Sequence, residues 1–156
     1  MPNRRRAREV VVQILFQQDL NPKSDIDIEN EFIESRLHQK DHVVRFAKRL
    51  LDGIRNNHNE IDQALQSTAE NWKLGRMAAT DRSILRLAAF EILFLEETPG
   101  PVAINEAIEL AKRYGTNNSA QFVNGILDRL LNKSREQKKA EQALAPDAGE
   151  SDSAAN

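Results

Sequence analysis

The chain has 156 residues, no cysteine, and a net charge of −2 from 22 Lys+Arg and 24 Asp+Glu. That length supports one domain with a core of its own. The absent cysteines exclude disulfides, cysteine-ligated zinc, iron–sulfur clusters and thiol catalysis and fit a reducing cytoplasm, and the lack of any apolar run near 20 residues excludes a membrane-spanning helix.

Six Gly, five Pro and apolar residues recurring at intervals of three and four predict helices throughout. The first runs from Arg4 to about Leu20, with Val11, Val12, Leu15 and Phe16 on one side, and ends at Asn21-Pro22. A shorter helix covers Ile28 to Leu37. Asp41 reads as the N-cap of the next, whose stripe is Val43, Phe46, Ala47, Leu50, Leu51 and Ile54 and which reaches about Asn57. Another follows Asn59, with Ile61, Ala64 and Leu65 inward. Trp72 to Ala79 reads as a short turn or linker. Thr80 is placed to cap the most apolar segment, Ile84 to Leu95, which must be covered on several sides. Thr98-Pro99-Gly100-Pro101 breaks the chain, a helix from about Val102 stops at Gly115, and Asn118 or Ser119 opens the last, with Phe122, Val123, Ile126, Leu127, Leu130 and Leu131 inward. Beyond Lys133 the apolar period is lost, and residues 133–156 carry four positive and five negative charges. The expectation is an all-α, compact bundle of six or seven helices over residues 1–132, arranged as two three-helix sub-bundles joined near Trp72 to Thr80, with residues 133–156 a disordered charged tail.

Charge is distributed unevenly. Residues 1–9 hold four Arg and one Glu, net +3, which leaves −5 for the rest of the chain. This favours a local anion site over a protein that coats polyanions indiscriminately. Arg4, Arg5, Arg6 and Arg8 span more than one helical turn, and a guanidinium donates paired hydrogen bonds to phosphate without titrating. A frayed, solvated terminus is the competing reading. A second candidate is the polar junction Tyr114 to Ser119, where helix N-terminal amides can meet an anion. There Phe122 lies within stacking reach of a base, and Asn124 offers donors and an acceptor for a base edge. Core packing for Phe122 and an interhelical contact for Asn124 compete with that assignment. His38 and His42 have i, i+4 spacing but stand beside Asp41 alone, outside any HExxH frame, and read as surface residues.

Arg4-Arg5-Arg6-Ala7-Arg8-Glu9, Ala103-Ile104-Asn105-Glu106-Ala107-Ile108-Glu109-Leu110-Ala111-Lys112 and Phe122-Val123-Asn124-Gly125-Ile126-Leu127-Asp128 resemble, in order and spacing, the NusB family of bacterial transcription antitermination factors. Asp81 to Leu87 and Phe90-Glu91 stand where that family has a comparable charged and apolar helix. The likeness spans about residues 4–131. It implies two small helical bundles, no catalysis and no cofactor, with binding of the boxA element of ribosomal RNA transcripts together with the ribosomal protein NusE, so that RNA polymerase passes terminators. It carries RNA contacts to Arg4, Arg5, Arg6, Arg8, Tyr114, Asn118 and Phe122, and more loosely a NusE surface to Phe16, Asp81, Arg82 and Arg86. Some relatives have an acidic residue where Asn118 stands, and a neutral amide repels phosphate less. Two alternatives remain open: a helix-bundle scaffold that forms a homodimer, and a stand-alone relative of the RNA-binding domain of ribosomal RNA cytosine methyltransferases.

Overall fold

Nine consecutive or near-consecutive positions of one helix, Ser83 to Ile92, are buried almost without a polar stripe. Such a segment has to be wrapped by other helices, and the fold is built around it. The computed structural model describes residues 2–144 except 24, 39 and 70. It consists of α1 (Pro2–Leu20), α2 (Ile26–Leu37), α3 (Asp41–Asn56), α4 (His58–Thr68), a 3-10 turn (Leu74–Arg76), α5 (Ala79–Phe94), α6 (Gly100–Tyr114) and α7 (Ser119–Leu144). α1, α3, α4, α6 and α7 all pack on α5. Ser83, Ala88 and Ala89 keep its surface thin enough for close approach.

The all-helical expectation agrees with this structure, but the internal division differs. α1, α2 and α3 pack as one group and α4 to α7 as another. The joint therefore falls at Asn57, between α3 and α4, instead of near Trp72 to Thr80, and the grouping is three helices plus four. Asn57 closes α3 through its amide N–H and side-chain Nδ2, both donating to the Gly53 carbonyl at 3.1 and 2.8 Å.

Helix ends also depart from the expected caps. Asp25 caps α2 by accepting from the Asp27 amide at 2.9 Å, so this helix starts earlier than Ile28. Asp41 is the first residue of α3 and makes no cap, and Thr80 lies one residue inside α5. Each places a polar side chain in the first turn, where sequence position resolves a cap only to within a residue or two. His38 ends α2 at φ 38° and His42 belongs to α3, so helical i, i+4 geometry does not connect them.

The tail expectation is corrected for part of its length. α7 runs through Leu144, past Lys133, although nothing beyond Ser134 is buried. Arg, Glu, Gln, Lys and Ala are strong helix formers, and a helix already nucleated by Val123 to Leu130 extends through them without a second nucleation cost. Residues 145–156 lie outside the described residues. Among the described residues, no helix is long and apolar enough to cross a membrane.

Candidate nucleic-acid interface

α1 is amphipathic at its start. Ala7, Val10 and Val11 are fully buried against the bundle, which leaves Arg4, Arg5 and Arg6 at the rim and turns Arg8 inward. None of the four is unopposed. Arg5 Nε and Nη2 donate to both carboxylate oxygens of Glu106 on α6, at 3.0 and 3.2 Å. This fork raises the Arg5 pKa above its ordinary value, so its charge is secure. Arg6 Nη1 donates to Glu9 at 2.9 Å, and the second Glu9 oxygen accepts from Arg113 at 2.7 Å. Arg4 lies 3.7 Å from Glu97, with its guanidinium 4.5 Å from the Phe46 ring centre.

Arg8 does not belong to the rim. It is 4% exposed and donates three hydrogen bonds, at 2.8 to 3.1 Å, to Glu91, itself 1% exposed. The structure thus separates Arg8 from the other three arginines: its position on α1 faces α5, and a buried guanidinium requires a buried partner. Burial pushes the Glu91 carboxyl above its usual range, while hydrogen bonds and charge from Arg8 act in the opposite direction.

The junction of α6 and α7 meets the same rim. Arg113 links Glu9 to the end of α6, and its guanidinium stands 5.5 Å from the Tyr114 ring centre. Tyr114 is half-buried. Gly115 follows with φ −94°, an ordinary conformation, and its need for glycine is one of space: a Cβ would lie 2.5 Å from Ser119 and 2.8 Å from the Ala111 carbonyl. Buried Ser119 staples the turn, its Oγ accepting from the Thr116 amide at 2.9 Å. Asn118 is exposed, and its carbonyl accepts from the Phe122 amide at 3.1 Å. Phe122 is half-buried and meets Trp72 edge-on, with ring centres 5.5 Å apart at 78°. Asn124 is half-buried on α7.

Sequence reasoning passed over Trp72, which is 58% exposed. The available signal was a lone tryptophan in an irregular segment, a place where no apolar period demands one. It also passed over Arg113, Glu106 and Glu97, whose roles depend on which helices become neighbours.

Of the four residues carried to a protein partner, two are engaged internally. Arg82 donates to Asp19 at 2.8 Å and to the carbonyls of Leu74 and Met77 at 3.1 Å, and Arg86 forks onto Asp62 at 2.9 and 3.0 Å and reaches Asp19 at 3.3 Å. Both side chains are only 15% exposed. Both guanidiniums clamp α1, α4 and the 3-10 turn onto α5. Burial lowers the Arg86 pKa, but the Asp62 and Asp19 carboxylates more than offset it. Phe16 lines a cleft of about 480 Å³ with Val12, Ile28, Phe32, Thr80 and Tyr114. Asp81 is half-buried, with Oδ1 shielded and unpaired.

Among the described residues, seven helices in two groups around one shared central helix define a small helical protein of the two-bundle class. The sequence pattern of the NusB family matches residues 5–132. The chain is 41% identical over 136 residues to the transcription antitermination protein NusB of Desulfitobacterium hafniense, across 83% of this chain and 88% of that protein. It is 40% identical over 132 residues to that of Desulfosudis oleivorans, across 83% and 86%. The structure of T. maritima NusB superposes with a TM-score of 0.76 at 40% identity, over 88% of this chain and 96% of the other. A structure of NusB and NusE in complex with double-stranded RNA has a TM-score of 0.77 at 24% identity, over 85% and 98%, a likeness of fold. This chain belongs to the NusB family.

Proposed function

We propose that this protein is a noncatalytic transcription antitermination factor of the cytoplasm that holds boxA-like single-stranded RNA jointly with NusE. In this role it favours processive transcription of ribosomal RNA genes by the RNA polymerase antitermination complex. The observation that carries this reading is the chain Arg6–Glu9–Arg113, which joins the cationic start of α1 to the turn before α7 on one rim. Arg4, Arg5 and Arg6 hold phosphates there, and Tyr114, Asn118, Phe122 and Asn124 face bases. With Arg8 withdrawn, about three phosphate contacts give a salt slope near −2 on a single strand. The family membership supports the choice of partners, and the 24% identical protein that shares this fold is itself held with NusE and a double-stranded RNA.

For NusE the supporting observation is the apolar cleft beside Phe16, with exposed Ile28 at its edge and Asp81 adjoining Thr80. The same cleft would suit a second copy in a homodimer, and light scattering with and without RNA separates these. The deciding experiment measures boxA and scrambled RNA binding, with and without NusE, across a salt series. A boxA preference that sharpens with NusE is expected, and because coupling is reciprocal, RNA must tighten NusE by the same factor. Equal binding of boxA and scrambled RNA under all conditions overturns the proposal.

A further inference from the structure

The geometry points to a second stretch of RNA path along the outer face of α3, an inference that rests on the reading of the N-terminal arginines as an RNA site. Arg45, Lys48, Arg49 and Asp52 recur at intervals of three and four, so one helix face presents three cations and one carboxylate. This face forms one wall of a groove of about 590 Å³, and Phe90, Phe94 and Leu95 at the end of α5 form another. Phe94 is 37% exposed and stacks on buried Phe90, with ring centres 6.0 Å apart at 25°. Gly53 is what lets Phe90 sit there: a Cβ at that position would lie 2.1 Å from the ring tip. The exposed ring is thus backed by a fixed one, a platform on which a base can stack.

Continuity with the rim comes through Glu97. Its carboxylate accepts a hydrogen bond from Arg49 of α3 and lies 3.7 Å from Arg4 of α1. Two guanidiniums, one from each patch, therefore converge on a single acidic group, and a phosphate that displaces Glu97 is gripped by both. Among the described residues, Lys48 has only a distant partner, Glu34 at 3.9 Å, and Arg45 has no ion pair. An acidic protein segment would use the cations as well. The flat aromatic face and the shared carboxylate with Arg4 favour a strand that continues past the rim.

The test uses the full chain and two RNAs: a minimal boxA strand and the same strand extended by about six nucleotides at each end. Wild type binds the longer RNA more tightly. In Arg45→Gln/Lys48→Gln the gain from extension is lost and the salt slope on the long RNA shrinks by about 1.4, two contacts at about 0.7 each, while minimal RNA binds as before. Phe94→Ala, measured below its own melting transition, loses at least roughly fivefold on the long RNA alone, the lower end of one base stack. A double variant that retains the full gain, or a wild type that shows none, overturns the inference and leaves the rim reading intact. Failure of wild type to bind even the minimal strand sinks both.

Discussion

Arg8 on α1 and Glu91 on α5 form a bidentate ion pair, 83 residues apart in sequence, at the seam between the two helix groups. The Phe46 ring lies 5.5 Å from the Arg8 guanidinium, so the pair is sealed on the α3 side by an aromatic face. A charge placed this deep is costly unless matched, and the match here also fixes how α1 docks.

Arg8→Ala should cost about 3–5 kcal/mol in urea unfolding, because it strands a buried carboxylate. Arg8→Met/Glu91→Leu should recover most of that loss, since apolar pairs of similar volume often replace buried ion pairs without penalty. The double variant should also bind boxA RNA like wild type. A double variant that folds well yet loses RNA would return Arg8 to the binding surface.

Stability should depend on pH through Glu91. Burial, partly opposed by Arg8, raises its carboxyl pKa above the ordinary 4.5. The folded state then holds the proton more tightly than the unfolded chain, so this group's contribution is full below the unfolded pKa and is lost as pH climbs through the raised folded value. The unfolding free energy of wild type minus that of Glu91→Gln should fall from about pH 4.5 upward. A difference that grows with pH would mean that Arg8 outweighs burial.

The chain's own carboxylates compete with RNA for the rim. Glu106→Gln releases Arg5 from its fork, and exposed pairs are weak, so the melting midpoint should stay in place while boxA affinity at low salt rises roughly threefold. Fluorescence anisotropy at two salt concentrations reads this. Weaker binding by the variant would show that Glu106 positions Arg5 instead of masking it.

Trp72 and Phe122 should act as one platform. Single alanine variants each weaken RNA binding, and a double-mutant cycle on stability should give a coupling of about 0.5–1.5 kcal/mol, typical of edge-to-face rings. Additive losses in both assays would separate the two residues.

Gly53→Ala is the reverse of the usual helix improvement. Alanine gains about 1 kcal/mol of helix propensity, but its Cβ meets the buried Phe90 ring at 2.1 Å, and overpacking of this kind costs about 1–3 kcal/mol. Net destabilisation is expected in thermal unfolding, and a raised midpoint would show that Phe90 moves aside freely.

Helix count, the central place of α5, and the two breaks at Asn21-Pro22 and Thr98-Pro101 were legible in the sequence, because apolar periodicity and proline act within a few residues. The cationic start of α1 and the polar turn after Gly115 were legible as composition. Which arginine reaches solvent was not: Arg4, Arg5, Arg6 and Arg8 are the same residue type on one helix, and only the docking of α1 against α5 turns Arg8 inward onto Glu91. Packing likewise committed Arg82 and Arg86 to Asp19 and Asp62, 24 to 67 residues away, and paired Trp72 with Phe122. Local pattern specifies a helix and its apolar face, whereas partners for charges and rings depend on the distances between helices, and those are set only when the core closes.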